Sequence, residues 1–119
     1  MASQTETPER RSPRRVFNRA IGLLRNGRFE LAQATQISES GMAFATAEPL
    51  EMGEKLVVSL MIPGGDGLVL RGSIVGNREP VGKLHGYGVQ FSALDLHERR
   101  LIRSYVSAKT QAEAEEEGA

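Results

Sequence analysis

Turn-forming residues punctuate this chain at a spacing of roughly ten residues, and the segments between them are too short for helices and the right length for strands. Asn26-Gly27 is the strongest of these signals, because both residue types tolerate positive φ and so fit a two-residue hairpin. Ser38-Glu39-Ser40-Gly41, Glu48-Pro49, Pro63-Gly64-Gly65-Asp66-Gly67 and Glu79-Pro80-Val81-Gly82 mark the others. Between them lie the stretches 16–24, 29–37, 42–47, 54–62, 68–77 and 84–91, all rich in Val, Leu, Ile and Phe. Several alternate at the strand period: Leu56, Val58 and Leu60; Leu68, Leu70, Gly72 and Ile74; Tyr87, Val89 and Phe91. About six short antiparallel strands predict a sandwich or a barrel.

One helix follows. Asp95 and Glu98 form a capping box, and Leu94, Leu101, Ile102, Tyr105 and Val106 make an apolar stripe at helical spacing. Arg99, Arg100 and Arg103 fall off the stripe, as a solvated face should. The domain reading is therefore a disordered tail at 1–9, an arginine linker at 10–15, β-structure over 16–92, a helix over 95–109 and an acidic disordered tail at 110–119. The 119 residues allow one domain with one modest core.

Composition removes several function classes. There are no cysteines, which excludes disulfides, thiolate catalysis and cysteine-based zinc sites and fits a cytoplasmic location. No apolar run approaches the ~18 residues of a membrane span. His85 and His97 have no neighbouring Ser/Asp pattern that suggests a triad and no spacing that suggests a metal, so neither catalysis nor a metal cofactor is expected. The glycine run at 64–67 lacks the Lys-Ser/Thr of a P-loop and reads as a hairpin turn.

The chemistry concentrates in two short segments. Lys plus Arg and Asp plus Glu both number 15, but the balance hides a cluster of Arg10, Arg11, Arg14 and Arg15 just before the first strand. A guanidinium is a planar fork that grips phosphate oxygens bidentately. The same fork fits the O6 and N7 edge of guanine. A ligand with two phosphates and two guanines would engage several such forks at once. About twenty residues on, Gln36-Ile37-Ser38-Glu39-Ser40-Gly41 ends a strand in a tight turn. Ser38 offers a hydroxyl, Gly41 lets a ligand approach the backbone, and the Gln36 amide oxygen can accept from a base edge.

These residues resemble the PilZ domain family of cyclic di-GMP receptors, marked by R-x-x-x-R before the first strand and D/N-x-S-x-x-G at a strand-to-turn junction. Arg11-Ser12-Pro13-Arg14-Arg15 matches the first motif, and residues 36–41 match the second except that Gln36 stands where the family has Asp or Asn. Gly86-Tyr87-Gly88-Val89-Gln90-Phe91 and the capped helix resemble the family's end, so the likeness covers roughly residues 9–107. It implies a six-stranded antiparallel β-barrel with a C-terminal α-helix. It implies cyclic di-GMP as the ligand, held by Arg10, Arg11, Arg14, Arg15, Gln36, Ser38 and Gly41, with the arginine linker becoming ordered around it. With no output domain in 119 residues, the signal should pass to a protein partner. On this reading Arg11→Ala or Arg15→Ala abolishes binding and leaves the thermal melt nearly unchanged. Two rival readings are a degenerate adaptor that has lost the nucleotide, which Gln36 favours, and a small nucleic-acid-binding barrel with a basic arm. The second lacks a basic surface excess, and aromatics are only 5% of the chain.

Overall fold

The computed structural model describes the backbone of residues 13–65 and 67–118. Six strands, β1 (Arg14–Arg25), β2 (Arg28–Ser38), β3 (Gly41–Thr46), β4 (Lys55–Met61), β5 (Gly67–Val81) and β6 (Leu84–Ser92), precede one helix, α1 (Leu96–Gly118). They close into a barrel in the order β1-β2-β3-β6-β5-β4, with every pairing antiparallel. The first hairpin turns as its sequence dictates: Asn26 and Gly27 have φ of 51° and 71°, and Arg25 pairs with Arg28.

Alternation along the strands fills the interior. Ile21, Leu23, Ala34, Ile37, Phe44, Val58, Leu70 and Ile74 are buried almost completely. Tyr87, Val89 and Phe91 join them, as expected. The Tyr87 hydroxyl accepts a 2.8 Å bond from the Leu50 amide, so its polar end is satisfied as well.

Helix α1 closes one end of the barrel. Asp95 and Glu98 exchange the two bonds of a capping box, at 2.8 and 3.0 Å. Ile102 and Val106 are buried, with Leu101 and Tyr105 packed beside them. Tyr105 meets Phe17 edge-on, with ring centroids 5.7 Å apart.

Three boundaries differ from the sequence reading. The linker expected over 10–15 gives way to strand by Arg14, because Arg14 and Arg15 pair with Ser38 and Ile37, whose backbone groups need partners. The helix runs beyond 109 to Gly118, through a segment made mostly of strong helix formers such as Ala, Glu and Gln. The loop expected at 79–82 is largely strand: β5 continues to Val81, and the turn is Gly82-Lys83. Gly86 permits this, since a Cβ there would strike the backbone of Arg78 and Glu79.

Candidate ligand-binding site

The turn from β2 to β3 is organised by one hydroxyl. Ser38 Oγ accepts from the amides of Ser40 and Gly41 at 3.3 and 3.2 Å and donates to the Gly41 carbonyl at 3.2 Å. It lies 3.2 Å from the Ser40 hydroxyl. Gly41 is required here for a reason other than the left-handed backbone expected of a turn glycine. Its φ is not positive, but a Cβ would collide with the Val89 carbonyl oxygen of the neighbouring strand. Its place is set by the close approach of strands β3 and β6.

Across the sheet from this turn runs a row with few large side chains. Val16 pairs with Gln36, Gln36 with Ala43, Ala43 with Gly88, and Gly88 with Gly76. The register slips beside this row on three of its ladders, at 16/19, 34/36 and 74/76. Bulges of this kind re-aim side chains and open a sheet surface. The result is an open groove of about 350 Å³ lined by Arg14, Gln36, Ser38, Gly41, Ala43 and Arg78 among others.

The groove is electropositive by construction. No Asp or Glu lines it among the described residues. Arg14 is exposed at one end, and Arg78, from β5, lies at the other. Arg78 was not singled out by sequence reasoning. It belongs to no motif, and only the β5–β6 pairing brings it near Gln36 and Ala43.

Arg15 sits elsewhere. Its guanidinium lies 3.5 Å from the centroid of the Tyr105 ring, and its Nη1 donates to the Tyr105 carbonyl at 2.8 Å. Its Nε is buried with no hydrogen-bond partner. Adjacent strand residues point to opposite faces, so Arg14 turns to the groove while Arg15 turns under α1. Arg10 and Arg11 lie outside the described residues.

A second arginine contact ties the helix to the turn. Arg103 donates to both oxygens of Glu39, at 2.7 and 3.3 Å, and Arg99 lies 3.9 Å from the same carboxylate. The Arg103 bond holds the Glu39 carboxyl below the usual range, partly opposed by desolvation. The helix face expected to be merely solvated thus anchors the residue beside Ser38. His85, on β6, and His97, on the first turn of α1, are both exposed. The described residues contain no cluster of His, Cys, Asp or Glu able to hold a metal, and no helix among them is long and apolar enough to cross a membrane.

The PilZ domain family model matches residues 8–108. This chain belongs to the PilZ domain family. Among solved structures, the PilZ barrel resembles the Bacillus subtilis inhibitor of motility MotI/DgrA, with a TM-score of 0.76 and 12% identity over 85% of this chain and 51% of that one. It also resembles the PilZ domain of Escherichia coli YcgR with c-di-GMP, with a TM-score of 0.67 and 14% identity over 91% of this chain and 95% of that one. A third is the K. pneumonia MrkH–c-di-GMP complex, with a TM-score of 0.67 and 19% identity over 90% of this chain and 54% of that one. The chain therefore spans about half the length of the MotI and MrkH structures. Comparison by sequence with curated proteins gives no match. At these identities the neighbours establish the closed barrel and its C-terminal helix.

Proposed function

We propose that this PilZ domain is a cytoplasmic receptor that binds cyclic di-GMP in the groove beside the β2–β3 turn and passes the signal to a protein partner. One observation carries the reading. Arg14, Gln36, Ser38 and Gly41 come from two separate segments of the sequence, and all four line one open groove with no acidic residue among its described lining. Family membership supports it, as do the YcgR and MrkH structures, each described with c-di-GMP.

In this reading Arg14 engages a phosphate. The close packing of Gly41 against Val89 keeps the turn low, so that the ligand can lie against it. The Gln36 amide, which has no hydrogen-bond partner among the described residues, faces a base edge. The segment carrying Arg10 and Arg11 closes over the nucleotide and becomes ordered. That ordering changes the surface a partner meets. The role is binding, without catalysis.

The energetics are adequate. Micromolar affinity corresponds to about −8 kcal/mol. Hydrogen bonds to charged groups contribute roughly 1.5–3 kcal/mol each before the cost of ordering the arginine linker. A few arginine contacts together with base stacking reach that value. Calorimetric titration with cyclic di-GMP tests the reading: saturable micromolar binding supports it and gives the stoichiometry.

A second reading, an adaptor that works without nucleotide, is favoured by Gln36 in the place of Asp or Asn and by the engagement of Arg15 with Tyr105. The same titration separates the two.

A further inference from the structure

The seat of Arg78 is unusual for an exposed arginine. A Cβ built on Gly88 would lie 2.7 Å from Arg78 Cζ, 2.7 Å from Nη2 and 3.0 Å from Nε. A point nearly equidistant from those three atoms lies above the guanidinium plane, not at its edge. The fork therefore rests face-down on Gly88. Gly76, paired with Gly88, gives the same clearance: a Cβ there would come within 2.8 Å of Arg78 Nη1. Any other residue at Gly88 or Gly76 would crowd the plate out of this position. Nη1 also donates to the Asn77 carbonyl at 2.9 Å, which fixes the plate's rotation.

A guanidinium held flat has one covered face and one open face, and the open face of Arg78 forms part of the groove that also holds Arg14 and Gln36. Arginine planes stack on nucleobases through the π-faces that all bases share. The groove's described lining contains no aromatic side chain that could do this instead. We propose that Arg78 is the base platform of the site: a purine ring of the bound nucleotide stacks on its outer face while Arg14, at the other end of the groove, meets phosphate. The proposal rests on the nucleotide-binding reading of the groove and adds to it a residue from β5 that lies outside both arginine-linker and turn motifs. It also gives the paired glycines 76 and 88 a purpose, which is to seat the plate.

A flat platform and a point charge make different demands. Lysine keeps the charge and loses the plane. The experiment is calorimetric titration of the full chain with cyclic di-GMP and, in parallel, cyclic di-AMP, using the wild type, Arg78→Ala and Arg78→Lys, with a thermal melt of each. The proposal expects both variants to lose affinity for cyclic di-GMP by about tenfold, equally within error, with unchanged melts. The wild-type preference between the two dinucleotides should persist in both variants, because stacking is tolerant of base identity. Wild-type affinity in Arg78→Lys would show that only charge is used and would overturn the platform. Wild-type affinity in Arg78→Ala would overturn any role for the residue. Loss of the guanine preference in both variants would show that Arg78 reads a base edge instead, which also overturns it. Should the wild type itself ignore cyclic di-GMP, the nucleotide-binding reading fails and the platform with it, an outcome that is seen before any variant is compared.

Discussion

Arg14 and Arg15 are neighbours of the same residue type, yet they serve two different regions. Arg14 opens onto a groove that Gln36, Ala43 and Arg78 also line, where cations face the surface and no carboxylate among the described lining answers them. Arg15 lies under α1, stacked on Tyr105 and bonded to its carbonyl, at the end of the barrel closed by Phe17, Ile102 and Val106. One region is an open surface with Arg14 and Arg78 along it; the other is packed, and among its described groups Arg15 Nε alone is buried without a hydrogen-bond partner. Substitutions in the cap should therefore change stability, and substitutions in the groove should change affinity.

The largest effect is expected in the cap. Ile102 is fully buried, so Ile102→Ala should cost about 2–5 kcal/mol. For a domain of this size that lowers Tm by more than about 10 °C in a thermal melt. Gly41→Ala is the substitution that should cross the divide. Its Cβ would meet the Val89 backbone, so the turn must shift, at a cost of about 1–3 kcal/mol in chemical denaturation. The displaced Ser38 turn should weaken nucleotide binding as well.

Arg14→Ala should show the groove signature: cyclic di-GMP affinity about 10- to 100-fold weaker by calorimetry, with Tm essentially unmoved. Arg15→Ala should behave otherwise. Loss of the Tyr105 stack and the carbonyl bond should destabilise the chain by about 1–2 kcal/mol, visible in the melt, and Arg15→Lys should recover little of it. This replaces the sequence-based expectation that the Arg15→Ala melt stays nearly unchanged. An unchanged melt would break the contrast between the two arginines.

The smallest effect concerns acid. Glu39 is held below the usual carboxylate range by Arg103, and Glu54 by the Glu51 amide and by Arg25. Groups with depressed folded pKa values stabilise above their unfolded pKa, and that contribution fades as pH falls through the folded value. Tm should decline modestly as pH drops from about 5 to 3, and Glu39→Gln should flatten part of that slope. Both ends of the Glu39–Arg103 pair are partly exposed, which keeps the effect small.

The barrel was legible because its signals are local. Asn26-Gly27 fixes a hairpin by itself, the alternation of Leu56, Val58 and Leu60 fixes an inward face, and Asp95 with Glu98 fixes a helix start. The linear parts of the candidate site were legible too, since Ser38 and Gly41 bound one four-residue turn. What the sequence hid depends on register. Which of two adjacent arginines faces the groove turns on one step of strand phase. Arg78 reaches the groove only because β5 pairs with β6 beyond a bulge and two glycines clear its seat. Gly41's close approach to Val89 likewise joins strands that are distant in sequence.

We propose that the groove lined by Arg14, Gln36, Ser38 and Gly41 takes cyclic di-GMP. Titrating the nucleotide into the isotopically labelled protein and following backbone amide NMR shifts tests it residue by residue. Saturable changes concentrated at residues 36–43 and 76–90, with micromolar midpoints, are the expected outcome. No saturable change at about 100 μM ligand, or changes confined to residues outside the groove, would contradict it.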